Sequence, residues 1–274
     1  IFVYILLVII NNLIYKISIN VGSMQRIVGG IKTPEEYGKF HVSLQNITGY
    51  HVCGGAIISH KYLVTAAHCV FGAQAKYIKV VVGTTNLDKG GLEHDVKTIH
   101  VHDNYNRNLR LNDIAVLEIN GLFDLLKVEM LRLHDNELKE GETVLVTGFG
   151  ANKPYGDSAR RMQALNLTVF NQETCRYAMR YTRKVYDTMF CTFTRIGQGT
   201  CHGDSGGPLT IGNKLVGIIS WGIPCGVGFP DVHTRISPYI QWIRSIIDKK
   251  VCNSCGIIRQ NKKIHSYVNK YARQ

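Results

Sequence analysis

Residues 203–209 read Gly203-Asp204-Ser205-Gly206-Gly207-Pro208-Leu209. A serine hydroxyl is neutral at working pH and a poor nucleophile. To act as one it needs a neighbouring base and a place where a developing oxyanion can be held. The glycines flanking Ser205 permit a tight turn whose backbone N–H groups can converge on one point. Standing alone, the stretch would read equally well as a surface turn.

Two distant stretches change that reading. Thr65-Ala66-Ala67-His68-Cys69 places a histidine beside a cysteine at the end of an apolar run. Asn112-Asp113-Ile114-Ala115 places an aspartate at the mouth of an apolar strand, where its charge is costly unless paired. A lone histidine is more often structural, and a lone aspartate can simply cap a turn. Together with Ser205 they supply what nucleophilic catalysis requires: a nucleophile, a base and a group that orients the base.

From Ile27 to about Pro238 the chain is β-rich. Runs at 77–83 (YIKVVVG), 113–119 (DIAVLEI), 143–148 (TVLVTG) and 214–220 (KLVGIIS) carry Val and Ile and are bounded by Gly, Asn or Asp. With 27 glycines against 6 prolines, tight turns are well supplied. No alternation of strands with helices appears, so the sheets are expected to be antiparallel and either closed or sandwiched. One segment reads as helix. Ser237-Pro238 offers an N-cap and a proline at the first helical position, and Tyr239, Ile240, Ile243, Ile246 and Ile247 follow at spacings of three and four. A shorter helical piece is expected around Gln172 to Met179.

Composition bounds the class. Of 274 residues, 45% are apolar and 19% charged, which excludes a disordered chain and leaves ample material for a core. The net charge of +12 raises nucleic acid or an acidic membrane as partners. Much of it, however, is concentrated in a tail at 248–274 that includes Lys249, Lys250, Arg259, Lys262, Lys263, Lys270 and Arg273, and no nucleic-acid motif accompanies it. Residues 1–10 (IFVYILLVII) form an apolar run too short to span a bilayer and suited to a signal-peptide core, here bounded at about residue 22. A membrane anchor extended through Ile14 and Tyr15 is the alternative. An exported chain makes the even set of eight cysteines readable as disulfides.

From Ile27 to about Ile247 the sequence resembles the chymotrypsin–trypsin family of serine peptidases. Four motifs carry the likeness: Ile27-Val28-Gly29-Gly30, the His68 stretch, Asp113-Ile114-Ala115 and the Ser205 stretch. The segments 200–209 (TCHGDSGGPL) and 230–235 (PDVHTR) resemble insect chymotrypsins in particular. The resemblance implies an all-β fold of two packed six-stranded antiparallel β-barrels with a C-terminal α-helix. It implies His68, Asp113 and Ser205 as a catalytic triad, and the N–H groups of Gly203 and Ser205 as an oxyanion hole. It implies a precursor with a short activation peptide, 23–26, cut after Arg26 so that the freed Ile27 ammonium pairs with Asp204. It also implies the disulfides Cys53–Cys69, Cys175–Cys191 and Cys201–Cys225, while Cys252 and Cys255 have no counterpart. Those two are left to pair with each other, to bridge to another chain or to stay free, a zinc or redox role lacking a second Cys-x-x-Cys.

By the same likeness Gly199 is the base of a specificity pocket, where trypsins carry Asp, and Ser220, Trp221 and Gly222 are the strand that pairs with substrate backbone. Asp231 stands where the family usually has glycine on the pocket wall. The expectation is therefore Phe, Tyr or Leu before the cut, with Arg or Lys as the second choice if Asp231 enters the pocket, and no effect if it faces away. At the family's calcium loop stands Thr84, so no metal is expected, and no organic cofactor is implied. Expected partners are polypeptide substrates and protein protease inhibitors, with no nucleic acid and no stable membrane insertion after signal removal. The expected state is a secreted, extracellular monomer. A silent binding homologue would lack a triad member, and none is missing. Asn46 and Asn166 head two glycosylation sequons.

Overall fold

The computed structural model describes residues 27–248 apart from 152, 154 and 155. The expected signal segment, Arg26 and the tail with Cys252 and Cys255 lie outside the described residues.

A two-residue strand β1 (Ile31–Lys32) leads into β2 (His41–Asn46), β3 (His51–Ile57), β4 (Tyr62–Thr65), β5 (Ile78–Val82), β6 (Leu92–Val101) and β7 (Ala115–Ile119). The last six close into an antiparallel barrel in the order β2-β3-β4-β7-β6-β5. Register follows from side-chain alternation. Leu63 is paired with Leu117, and both point into the barrel with Val42, Leu44, Val80 and Val82. Their neighbours Tyr62, Val64 and Val116 face the opposite way.

After β8 (Arg132–Leu133) come β9 (Thr143–Gly148), β10 (Gln163–Phe170), β11 (Met189–Thr192), β12 (Pro208–Ile211), β13 (Lys214–Gly222) and β14 (Asp231–Arg235). These six also close, in the order β9-β10-β11-β14-β13-β12, through the β9–β10 pairing. β1 adds antiparallel to β10. β8 adds parallel to β13, a departure from the all-antiparallel expectation confined to two residues.

The outward faces of β4 and β7 form the seam between the barrels. Tyr62, Val64, Ile114 and Val116 pack there against Leu215, Ile218, Ile236 and Ile240 in one buried cluster. Ile240 and Ile243 belong to the C-terminal helix, which bridges the two barrels. That helix runs over 240–248 after a 3-10 turn, Ser237–Tyr239. Its start differs from expectation: Ile236 is the cap, Ser237 makes no capping bond, and Pro238 sits in the first turn, where a missing N–H costs nothing. Two strands are shorter than read, because Tyr77 closes a 3-10 turn and Asn112, at φ 55°, bends the chain before β7. Two short α-helices precede the C-terminal helix among the described residues, α1 (Ala67–Val70) and α2 (Gln172–Met179). Asn171 caps α2 through its side chain, accepting from the Thr174 N–H at 2.9 Å. All three disulfides implied by the resemblance are formed.

Candidate active site

His68 lies in the single turn α1, directly after β4, and the Cys53–Cys69 bridge ties that turn to β3. Asp113 lies just before β7 and is fully buried. Its carboxylate accepts three bonds: from the His68 backbone N–H at 2.8 Å, from His68 Nδ1 at 2.7 Å and from Ser220 Oγ at 2.6 Å. A carboxylate facing three donors can only accept, so Nδ1 carries the imidazole proton and Nε2 keeps its lone pair. Thr234 Oγ1 donates to the Asp113 carbonyl at 3.0 Å. The Tyr239 hydroxyl donates to Asn112 Oδ1 at 2.9 Å. The aspartate is thus fixed from both barrels and from the C-terminal segment.

Ser205 sits in the turn between the Cys201–Cys225 bridge and β12. Its carbonyl accepts from the Gly54 N–H of β3 at 2.7 Å, so the Ser205 turn of the second barrel is hydrogen-bonded to the first barrel. The amides of Asp204, Gly206 and Gly207 are committed to the carbonyls of Cys201, Ile219 and Asp204. Among the described residues no hydrogen bond occupies the N–H of Gly203 or Ser205. Gly206 must be glycine: its φ is +79°, and a Cβ there would stand 2.2 Å from Thr65 Oγ1. His68 and Ser205 line one cleft of about 260 Å³ without a hydrogen bond between their side chains, as resting sites often do before substrate tightens the geometry.

The Trypsin family model matches residues 27–243. The chain belongs to this family of serine endopeptidases. Among similar proteins, a trypsin epsilon of Drosophila erecta is 37% identical over 222 residues, spanning 80% of this chain and 86% of that protein. A chymotrypsin-2 of Vespa crabro is 35% identical, spanning 80% of this chain and 98% of the relative. A trypsin of Sarcophaga bullata is 35% identical, spanning 80% and 87%.

The inner end of this peptidase cleft is shaped by Asp231. The side chain is 4% exposed, lines the cleft, and accepts from the Thr200 N–H at 2.7 Å. It does not face away. Burial pushes its carboxyl up to about 7, against the Thr200 bonds and with help from the charge of Asp204. A Cβ on Gly199 would stand 2.9 Å from Asp231 Oδ2, and one on Gly222 would stand 3.0 Å from Oδ1. The two glycines therefore make room for this carboxylate, and Gly199 could not itself carry an acid while Asp231 keeps this position. Trp221 and Gly222 line the same cleft.

Asp204 is also fully buried, and burial pushes its carboxyl up to about 7 even though it accepts from the N–H of Gly150 at 2.8 Å and of Cys201 at 2.9 Å. Ile27 is fully buried among Val144, Val146, Leu209 and Ile219, and Val28 pairs with Gly199. Asn46 and Asn166 are exposed at their sequons. Donor atoms of Cys53, His68 and Cys69 cluster, but both sulfurs are committed to the disulfide, which leaves no metal site in that group.

Sequence reading missed several contributors. Ser220 was expected only as part of a substrate-pairing strand, yet its hydroxyl holds Asp113. His51 had no assigned role. Its Nε2 donates to the Gly203 carbonyl at 2.9 Å, and its Nδ1 accepts from Ser43 Oγ at 2.8 Å. A lone histidine in a buried strand gives no signal of that kind. Thr200, Arg110 and Arg183 also line the cleft, without any motif to mark them.

Proposed function

We propose that the protein is a secreted endopeptidase that cleaves through an acyl-enzyme on Ser205. The observation that carries this is the bond of 2.7 Å from His68 Nδ1 to the buried Asp113, in the same cleft as Ser205. Ser205 Oγ bonds to the scissile carbonyl carbon while its proton moves to His68 Nε2. The carbonyl oxygen becomes an oxyanion held by the Gly203 and Ser205 N–H groups. The C–N bond then breaks, and the proton passes from His68 to the leaving amine. Water, deprotonated by His68, hydrolyses the ester and restores Ser205. Asp113 holds the tautomer and stabilises the imidazolium.

Preference falls on Phe, Tyr or Leu before the cut, with Arg or Lys admitted through Asp231. Ile219, Trp221 and Pro224 line the same cleft as the Asp231 carboxyl, which supports both in that order while the carboxyl is neutral. We further propose a precursor activated by cleavage after Arg26. The buried, costly carboxyl of Asp204 and the buried side chain of Ile27 support it, since a new ammonium at Ile27 would give Asp204 the cation it lacks. Domain limits are proposed as 1–22 signal, 23–26 activation peptide, 27–247 peptidase and 248–274 tail. Among the described residues no helix is long and apolar enough to cross a membrane.

The test is cleavage of the recombinant precursor after Arg26, then kcat/KM on peptides with Phe, Leu or Arg before the scissile bond, beside Ser205→Ala. Turnover that appears on cleavage and is abolished in the variant is expected. Turnover that survives in Ser205→Ala would overturn the reading.

A further inference from the structure

The cleft that holds His68, Ser205 and Asp231 is also lined by two arginines, Arg110 and Arg183. Arg110 belongs to the loop between β6 and β7 and adopts φ 55°, an uncommon conformation for a residue with a side chain. The loop is braced in place. The Asn106 N–H donates to the Leu111 carbonyl at 2.9 Å, the Leu109 N–H to Asn106 Oδ1 at 3.0 Å and Asn112 Nδ2 to the Asn104 carbonyl at 2.8 Å. Arg183 is fastened to the same loop, its Nε donating to the Asn108 carbonyl at 3.1 Å, and its guanidinium carbon lies 5.3 Å from the Trp221 ring centroid.

Neither cation has an acid of its own. Among the described residues, no ion pair involves Arg110 or Arg183. Nε and Nη1 of Arg110 are buried, and the neighbouring oxygen is the neutral phenol of Tyr105, which carries no charge to balance the guanidinium. The Asp113 carboxylate is close enough to act on Arg183, but it is committed to His68 and Ser220. Burial and the charge of Arg110 both disfavour the Arg183 cation. Buried cations without a counter-charge and like charges at close quarters are unfavourable, and the braced loop holds them there nonetheless. A single carboxylate entering the cleft would relieve both.

We propose that Arg110 and Arg183 form a subsite for an acidic side chain, Asp or Glu, on the substrate upstream of the cleaved bond. This rests on the endopeptidase reading. Successive side chains of an extended peptide point to opposite sides. With one side chain directed toward Asp231, the preceding one turns away from that wall, toward the rest of the cleft lining, which includes His68, Arg110 and Arg183. The residue two further out returns to that side. The acid is therefore placed one or three residues before the one that enters the Asp231 pocket. Long-range attraction to two unpaired cations also favours capture of acidic segments at low salt.

The test uses the activated full-length enzyme and peptides that share Leu before the cut, with Glu, Gln or Lys at one or the other of those two positions. At one of them Glu is expected to exceed Gln in kcat/KM by about tenfold, the scale of a charge-assisted hydrogen bond, with Lys below Gln and the gap narrowing in high salt. In Arg110→Gln and Arg183→Gln the ratio of kcat/KM for the Glu peptide over the Gln peptide should fall toward one, because the charged contact is lost, whatever happens to turnover of the Gln peptide itself. Cleavage of the Gln peptide with no Glu advantage at either position in the unaltered enzyme overturns the subsite alone, and so does an advantage that survives in the double variant. No cleavage of any peptide would overturn the endopeptidase reading, and the subsite with it.

Discussion

The backbone N–H of Thr200 donates to the carboxyl of Asp231 at 2.7 Å, holding an acid at the inner end of the cleft where Gly199 leaves the space for it. The position of that acid makes specificity a function of pH. Burial pushes the Asp231 carboxyl up to about 7, so it is neutral below that pH and charged above it. A neutral carboxyl accepts apolar side chains readily, whereas the charged form favours Arg or Lys. The ratio of kcat/KM for an Arg peptide over a Leu peptide should rise by about tenfold between pH 6 and 8.5, as one hydrogen-bonded charge pair is gained. Any effect common to both substrates cancels in the ratio. Asp231→Ser should give a low, flat ratio. A flat profile in the unaltered enzyme would remove Asp231 from substrate selection.

Ser220 offers a second test. Its hydroxyl makes the third bond to the buried Asp113 carboxylate, at 2.6 Å. Ser220→Ala leaves His68 in place but strips one donor from an ion with no access to water. Hydrogen bonds to charged groups contribute about 1.5–3 kcal/mol, so kcat should fall by about tenfold or more, with KM little changed. Steady-state kinetics on a single peptide reads this directly. A change confined to KM would mean that Ser220 serves substrate binding instead.

These two cases also show what was legible in the sequence. The barrel strands were readable because Val and Ile runs end at turn residues, and the grouping of His68, Asp113 and Ser205 around one cleft was readable because three residues of complementary chemistry stand in separate motifs. Asp231 could be flagged but not oriented, since its direction depends on the space left by Gly199 and Gly222 thirty-two and nine residues away in sequence. Ser220 and His51 were misread or missed because they act by hydrogen bonds across the barrel seam, and a single serine or histidine in a strand leaves no periodic trace. The helix start was displaced by one residue because Ser237 was read as a cap from residue type, while the chain enters its first turn at Ile236.

His51 links the first barrel to the turn that carries Gly203 and Ser205, the proposed oxyanion donors. The Gly203 carbonyl can only accept, so Nε2 of His51 carries the proton and Nδ1 receives the Ser43 hydroxyl. Through that bond His51 anchors the Gly203–Asp204 peptide, whose own N–H is committed to the Cys201 carbonyl, and so restrains the turn that carries the Gly203 N–H. His51→Ala should lower kcat by about tenfold with little change in KM, since a loosened oxyanion donor weakens the transition state and not substrate binding. His51→Gln retains an N–H donor and should recover part of the loss. Equal defects in both variants would reduce His51 to a packing role.

Acid stability follows from three buried histidines. Burial lowers His41 to about 3, His51 to about 4 and His233 to about 3, with the charge of His51 adding to the effect on His41. Each is neutral in the fold, while in the unfolded chain it titrates near 6.5. The unfolded state therefore binds more protons below that pH, and the histidine contribution to stability is present above 6.5 and lost as pH falls toward 3–4. Asp204 and Asp231 work in the other direction. Their raised values of about 7 mean that the contribution of their protonated forms is full below 3.8 and lost as pH rises through 7. The clean comparison is thus a histidine variant against the unaltered protein, which holds the acids constant. His233 Nε2 lies 2.7 Å from Thr192 Oγ1, and its Nδ1 is buried with no partner, so His233→Leu paired with Thr192→Val removes the titrating ring without stranding the hydroxyl. Thermal unfolding followed from pH 7 to pH 4 should show a smaller fall in Tm for the double variant than for the unaltered chain. Parallel curves would mean that His233 is already protonated in the folded protein, contrary to its complete burial.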